Sequence, residues 1–216
     1  SQGEAGQQEN PFRDGENTAD DKEAPVAVVV FRDDYEPASG SYYFREGAYS
    51  QFNGQMLDFS TRPDMDVDLV GGIGSGRSES QRPPPQGVDR RPVRTTIGTL
   101  VPHRSPFGLD TPIAFESAAN PNSLRFKNTF DAYSMVPEFD LNTLFGRNTG
   151  HPDWSDEVRR EYLELPNDPR YGQLASQIIA NLRPQYADDN FAKAWAIKSY
   201  LDENGIYSLK NEHAYA

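Results

Sequence analysis

Residues 168–182 read Asp-Pro-Arg-Tyr-Gly-Gln-Leu-Ala-Ser-Gln-Ile-Ile-Ala-Asn-Leu, and this stretch decides the fold class. Asp168 before Pro169 is the chemistry of a helix start: the carboxylate accepts from a free first-turn amide, and proline has no amide to lose there. Tyr171, Leu174, Ala175, Ile178, Ile179 and Leu182 then recur at helical spacing until Pro184 stops the run. A second helix is predicted from Asp188 or Asp189, whose charge suits the positive end of the helix dipole, to a stop at Gly205. Its expected buried face carries Phe191, Ala194, Trp195, Leu201 and the aliphatic stem of Lys198.

Upstream of about Gly150 the periodicity is that of strands. Ala24-Pro-Val-Ala-Val-Val-Val-Phe31 is β-branched and bounded by polar residues, as a buried strand should be. Glu36–Gly40 has turn chemistry. Ser41–Tyr49 is aromatic and extended, and the run Ser50–Phe59 carries Asn53-Gly54, a hairpin signal. Met65, Val67 and Leu69 alternate with Asp64, Asp66 and Asp68, which predicts a strand with one acidic face. Further strands are expected at Val93–Val101, Ile113–Phe115, Ser123–Phe130 and Tyr133–Val136. The fold class is therefore α+β: a β-rich domain over 25–150, an antiparallel sandwich or barrel, followed by helices over 151–216. Residues 1–24 read as a disordered acidic linker, and the Gly-, Pro- and Arg-rich residues 71–92 as an exposed mobile loop within the β domain.

The chain has 216 residues, 36% of them hydrophobic, with 17 Gly and 17 Pro, which suits a loop-rich protein. Aromatics reach 12%, so the apolar surface is concentrated in large rings. A net charge of −12 repels phosphate backbones and makes nucleic acid a poor partner. With no cysteine, these residues offer no disulfide, thiolate metal site or thiol nucleophile. The longest apolar stretch, Pro25–Phe31, is far short of a membrane span.

No catalytic, cofactor or metal constellation emerges. His103, His151 and His213 are isolated from one another and fit surface or hydrogen-bonding roles. Asp64, Asp66 and Asp68 resemble the start of a calcium loop, but Leu69 stands where its glycine belongs and no closing Glu follows. Gly71–Gly76 lacks the Lys-Ser/Thr ending of a phosphate loop and runs into prolines. Asp153, Asp156, Glu157, Glu161 and Glu164 are expected as solvated charges on exposed helix faces. No cofactor is indicated.

From Glu161 the chain reads Glu-Tyr-Leu-Glu-Leu-Pro166, then the Asp168-Pro169 helix, then Phe191-Ala-Lys-Ala-Trp-Ala-Ile-Lys-Ser-Tyr-Leu-Asp-Glu-Asn-Gly205 and Ile206-Tyr-Ser-Leu209. This resembles the entry to the core of bacterial transglutaminase-like proteins of the membrane-attached or periplasmic type. Tyr43–Gly54 is similar to the segment between membrane helices and core in such proteins, though the family's tryptophan is absent, and Pro102–Leu109 fits the same region. The resemblance implies a papain-like core of which 151–216 is the truncated N-terminal part, ahead of the catalytic cysteine. The parent would act on protein or peptide substrates by cysteine-dependent acyl transfer or amide hydrolysis. It would sit outside the cytoplasm, tethered to the membrane by segments beyond this chain. No residue matches the family's Cys, His or Asp, so the chain itself is expected to be inactive. The alternative is an extracytoplasmic binding module docked in a membrane-associated complex through aromatics of Tyr42–Phe59 and the 71–92 loop. A small enzyme with a pocket between the halves is a third reading.

Overall fold

The computed structural model describes residues 24–37, 40–52, 57–67, 70–81, 89–165 and 167–205. In chain order these form β1 (Ala27–Phe31), β2 (Phe44–Arg45), β3 (Gln51–Phe52), β4 (Leu57–Asp58), β5 (Ser78–Glu79), β6 (Arg90–Thr99), β7 (Gly108–Leu109), β8 (Pro112–Ser117) and β9 (Asn128–Pro137). Three helices follow: α1 (Asp156–Tyr162), α2 (Pro169–Ile179) and α3 (Asn190–Asn204). The protein is thus α+β with a β-rich first part. The described residues up to Tyr49, with Ser60–Glu138, form one unit; Ser50–Phe59 joins the residues from Phe139 onward in a second.

The first unit is built on an antiparallel sheet ordered β1-β6-β9-β8-β5. Alternation along its two long central strands sorts side chains by face. Val93, Thr95, Ile97 and Thr99 of β6 are buried, and so are Phe130, Ala132, Ser134 and Val136 of β9. The register sets Ile97 opposite Phe130, Thr95 opposite Ala132 and Val93 opposite Ser134, so all of these line one face. Phe115 of β8 joins them opposite Ala132. Phe130 meets Phe107 and Phe115 edge-on, each at 5.9 Å between ring centres. Full burial of such side chains contributes roughly 1.5–3 kcal/mol each. A short ribbon, β2 with β7, covers part of this face, where Leu109 packs with Val93 and Val136. The approach depends on Gly108: a Cβ there would lie 2.8 Å from Pro112 Cβ and 3.3 Å from Ala132 Cβ. Pro92 is tolerated in β6 because β1 pairs only with Thr95–Thr99, and proline suits a strand segment whose outer edge is free.

In the second unit β3 and β4 pair antiparallel, bracketing Asn53-Gly54 as the hairpin signal requires, although residues 53–56 lie outside the described set. Each helix begins with a side-chain cap. Ser155 accepts from Val158 N at 3.2 Å, Asp168 from Arg170 N at 2.9 Å, and Asp189 from Ala192 N at 2.7 Å. Asp189 also accepts from Gly146 N, which ties the loop after the 3-10 turn Leu141–Leu144 to the head of α3. Phe145 is held edge-on to Phe191 at 5.0 Å and tilted against Tyr186 at 5.3 Å.

Several expectations from the sequence are corrected. Residues 63–67 form turns instead of a strand. Pro63 offers no amide to a ladder, Asp66 takes a left-handed backbone with φ 55°, and Met65 alone turns inward, with 4% exposure. Asp68 and Leu69 lie outside the described residues. Ser123–Phe130 and Tyr133–Val136 are not two strands: Asn120 and Asn122 side chains accept from following backbone amides and hold a turn, and β9 runs unbroken from Asn128. Within 71–92, β5 pairs with β8 and Ser80 is buried, while β6 already begins at Arg90. The predicted inner face of α3 is also shifted. Ala192 is its buried residue, whereas Ala194, Trp195, Lys198 and Leu201 are exposed. α1, capped by Ser155, is a further helix that the apolar spacing does not announce. Residues 1–23 and 206–216 lie outside the described residues.

Candidate functional site

The histidines do not converge. His103, after β6, places Nε2 3.3 Å from a Glu46 carboxylate oxygen and meets Phe107 edge-on at 5.5 Å. His151 accepts from Asp153 N through Nδ1 at 3.2 Å, a local turn contact. His213 lies outside the described residues. Among the described residues no group of His, Asp and Glu is arranged to hold a metal ion. Asp64 is engaged by Arg62 at 2.7 Å, and that hydrogen bond is the main reason its carboxyl sits below the usual aspartate range. Asp66 accepts from Ser60 N at 3.3 Å. Gly71–Gly76 leads into β5, and Gly74 N donates to Ser78 Oγ at 3.0 Å, so no helix opens behind it to receive phosphate.

The carboxylates around α1 are also dispersed. Asp156 and Glu157 occupy its first turn, where charge complements the helix dipole. Glu161 accepts from Gln51 Nε2, joining α1 to the β3–β4 hairpin. Asp153 and Glu164 are exposed.

Two features do present built surfaces. The first is a groove of about 440 Å³ between α2 and α3. Leu174, Ile178 and Leu182 line one side and Ala196 and Tyr200 the other, while Glu203 is the one fully charged lining group. α2 buries none of its residues and α3 only Ala192, so Leu174, Trp195 and Leu201 stay open to solvent. Gln177, Asn181 and Ser199 are also in the lining, so the groove is part apolar and part polar, and no histidine is among its lining residues to activate Ser199. The second is aromatic. Tyr42, Tyr43, Phe44 and Tyr49 of the first unit are 46%, 69%, 38% and 54% exposed. Tyr42 is anchored by donating to Tyr35 O at 3.1 Å and by packing on Phe31 at 4.9 Å. Phe44 meets Phe107 edge-on at 6.0 Å, so Tyr42 and Phe44 are held in place while partly facing water.

A third feature, invisible to motif reasoning, is a polar network on the sheet face opposite the core. Asp131, 7% exposed, accepts from Thr96 Oγ1 and from Arg94 Nη2, while Thr96 accepts from Arg32 Nε at 2.8 Å. Burial alone would push the Asp131 carboxyl up; the bonds from Thr96 and Arg94 and the charges of Arg94 and Arg32 together hold it below the aspartate range. Beside it Tyr133 donates to Glu116 at 3.0 Å with the Arg77 guanidinium 4.0 Å from its ring centre. Every acid here is matched by a donor, which makes the network a structural clamp.

No helix among the described residues is long and apolar enough to cross a membrane. No known protein family, curated protein or solved structure matches the chain.

Proposed function

We propose that this chain is the non-catalytic, upstream part of an extracytoplasmic transglutaminase-like protein, a β-rich accessory domain followed by the opening helices of a papain-like core. The observation that carries the reading is the α2–α3 groove: two well-capped helices pack on one another and leave a partly apolar cleft and exposed Leu174, Trp195 and Leu201 unfilled. Such a pair behaves as part of a larger core, with the cleft receiving a further helix. Catalysis, by cysteine-dependent acyl transfer or amide hydrolysis on protein or peptide substrates, belongs to residues beyond these, since the chain has no cysteine. The parent is periplasmic or extracellular and tethered to the membrane. Reading the coding sequence past the codon for Ala216 tests this. A cysteine within the next few dozen residues, followed by spaced His and Asp, is the expected result. A stop codon or a cysteine-free continuation overturns it.

The exposed rings of Tyr42, Tyr43, Phe44 and Tyr49 favour a second reading, in which the β-rich domain is a docking module within a membrane-associated complex. Aromatics facing water, with Tyr42 bonded through its hydroxyl and Phe44 packed on Phe107, are the anchors that interfaces use. Replacing Tyr43 and Tyr49 by Ser is expected to abolish co-purification with membrane partners while leaving the fold intact. Unchanged co-purification sinks the docking reading.

A further inference from the structure

β1 ends the five-stranded sheet, and no described strand pairs with its outer side. The ladder bonds show which of its backbone groups are committed. Leu100 N donates to Val26 O at 2.8 Å and Arg32 N to Arg94 O at 2.9 Å, in the same register that sets Val28 opposite Gly98 and Val30 opposite Thr96. In an antiparallel ladder such pairs alternate along the strand. The even-numbered residues therefore turn their N–H and C=O toward β6, and Ala27, Val29 and Phe31 turn theirs outward.

We propose that this edge pairs with β1 of a second copy of the chain, antiparallel and two-fold symmetric about Val29. The register follows from the strand itself. Full overlap of Ala27–Phe31 with its copy places Val29 opposite Val29, Ala27 opposite Phe31 and Phe31 opposite Ala27. These are the residues whose backbone groups point outward, so overlap and hydrogen-bond parity select the same arrangement. It closes roughly six backbone hydrogen bonds, two per facing pair. A one-residue slip would bring committed groups to the interface and close none.

The side chains and charges agree with this pairing. Val28 of one copy faces Val30 of the other on the sheet's outer face, which covers Val30, left 45% exposed in the single chain. No ionisable residue falls within Pro25–Phe31, and in this register Arg32 meets Val26, Asp33 meets Pro25 and Asp34 meets Ala24. No acid faces an acid anywhere in the described overlap. The edge also lacks the usual blocking devices, an inward charge, a bulge or a proline within the strand. At the other end of the sheet β5 is two residues long and carries Glu79 beside Arg77, a poor template.

Sedimentation over a range of concentrations, with amide exchange on the same samples, decides the matter. The expected result is a reversible dimer of twice the 24.2 kDa chain mass. The amides of Ala27, Val29 and Phe31 should slow as concentration rises, and those of Val28 and Val30 should be slow throughout. Raised salt should strengthen the dimer by screening the −12 charge of each copy. Val30→Lys, at an exposed position, and Ala27→Pro, which removes one outward N–H and no bond to β6, should each leave only monomer, and Val30→Lys should melt with the unsubstituted chain at dilutions where that chain is itself monomeric. A monomer whose odd-numbered amides exchange freely at every concentration overturns the proposal. So does a monomer in which they are already slow at high dilution, because another part of the chain then covers the edge. A dimer indifferent to both substitutions overturns it as well.

Discussion

Asp131 shows how a single side chain acquires its role from partners far away in sequence. It follows Phe130 and precedes Ala132, so alternation places it on the outer face, but Thr96 and Arg94, 35 and 37 positions earlier, supply its donors. Nothing local in the sequence marks it. Because its folded-state pKa is depressed, the stabilisation it gives is present above about pH 4 and is lost as pH falls through the folded value. Asp131→Asn should cost about 1–2 kcal/mol at neutral pH, and the melting-temperature gap to the parent should close on acidification below about pH 4. A gap constant from pH 7 to pH 3 would remove the carboxylate from this role. Thr95 is the opposite case, a fully buried core residue whose hydroxyl has no hydrogen-bond partner among the described residues. Thr95→Val keeps the shape and removes the unmatched group, so thermal unfolding should show a gain of about 1 kcal/mol.

The elements divide by how local their determinants are. Capping signals at Asp168-Pro169 and Asp189 sit within four residues of the bonds they form, which is why both long helices are legible in the sequence alone. Which face of α3 turns inward is not legible there, because its apolar residues are spread around the helix and packing against α2 selects among them. Strand pairing is less legible still. The hairpin at β3–β4 is signalled by its turn, but β2 pairs with β7 some sixty residues on, and nothing in either dipeptide specifies the other. The described residues 64–67 of the acidic run imitate a strand because alternation is only a period of two, which a series of turns can also produce. The groove follows from the helical spacing, and the outer-face clamp from no sequence signal at all. β6 also depends on a close fit: a Cβ on Gly98 would lie 2.6 Å from the Phe126 ring. Gly98→Ala is expected to destabilise by about 1–3 kcal/mol. Adding Phe126→Ala should recover part of that loss, and strictly additive denaturation energies would place the clash elsewhere.

Across the whole molecule the two units should differ in how deeply their amides are protected. The sheet unit holds the large fully buried side chains, and its central ladder runs ten residues. In the second unit the described buried apolar residues are Val158 and Ala192. Native-state exchange should therefore be slowest in β6 and β9 and markedly faster in α2 and α3. Equal protection would mean that the groove is covered in solution, by the chain itself or by a neighbour. The second unit has a further property that comes from its order along the chain. Its hairpin at Ser50–Phe59 leaves the ribosome well before the helix it bonds to, with Ser60–Glu138 of the sheet unit made in between. At synthesis rates of about 5–20 residues per second, a gap of roughly 100 residues keeps that hairpin waiting about 5–20 s. The sheet unit, whose last residue is Glu138, can therefore complete its fold first, while the second unit has not yet closed. Helices produced on their own from Phe139 would lack a piece that they cannot supply for themselves.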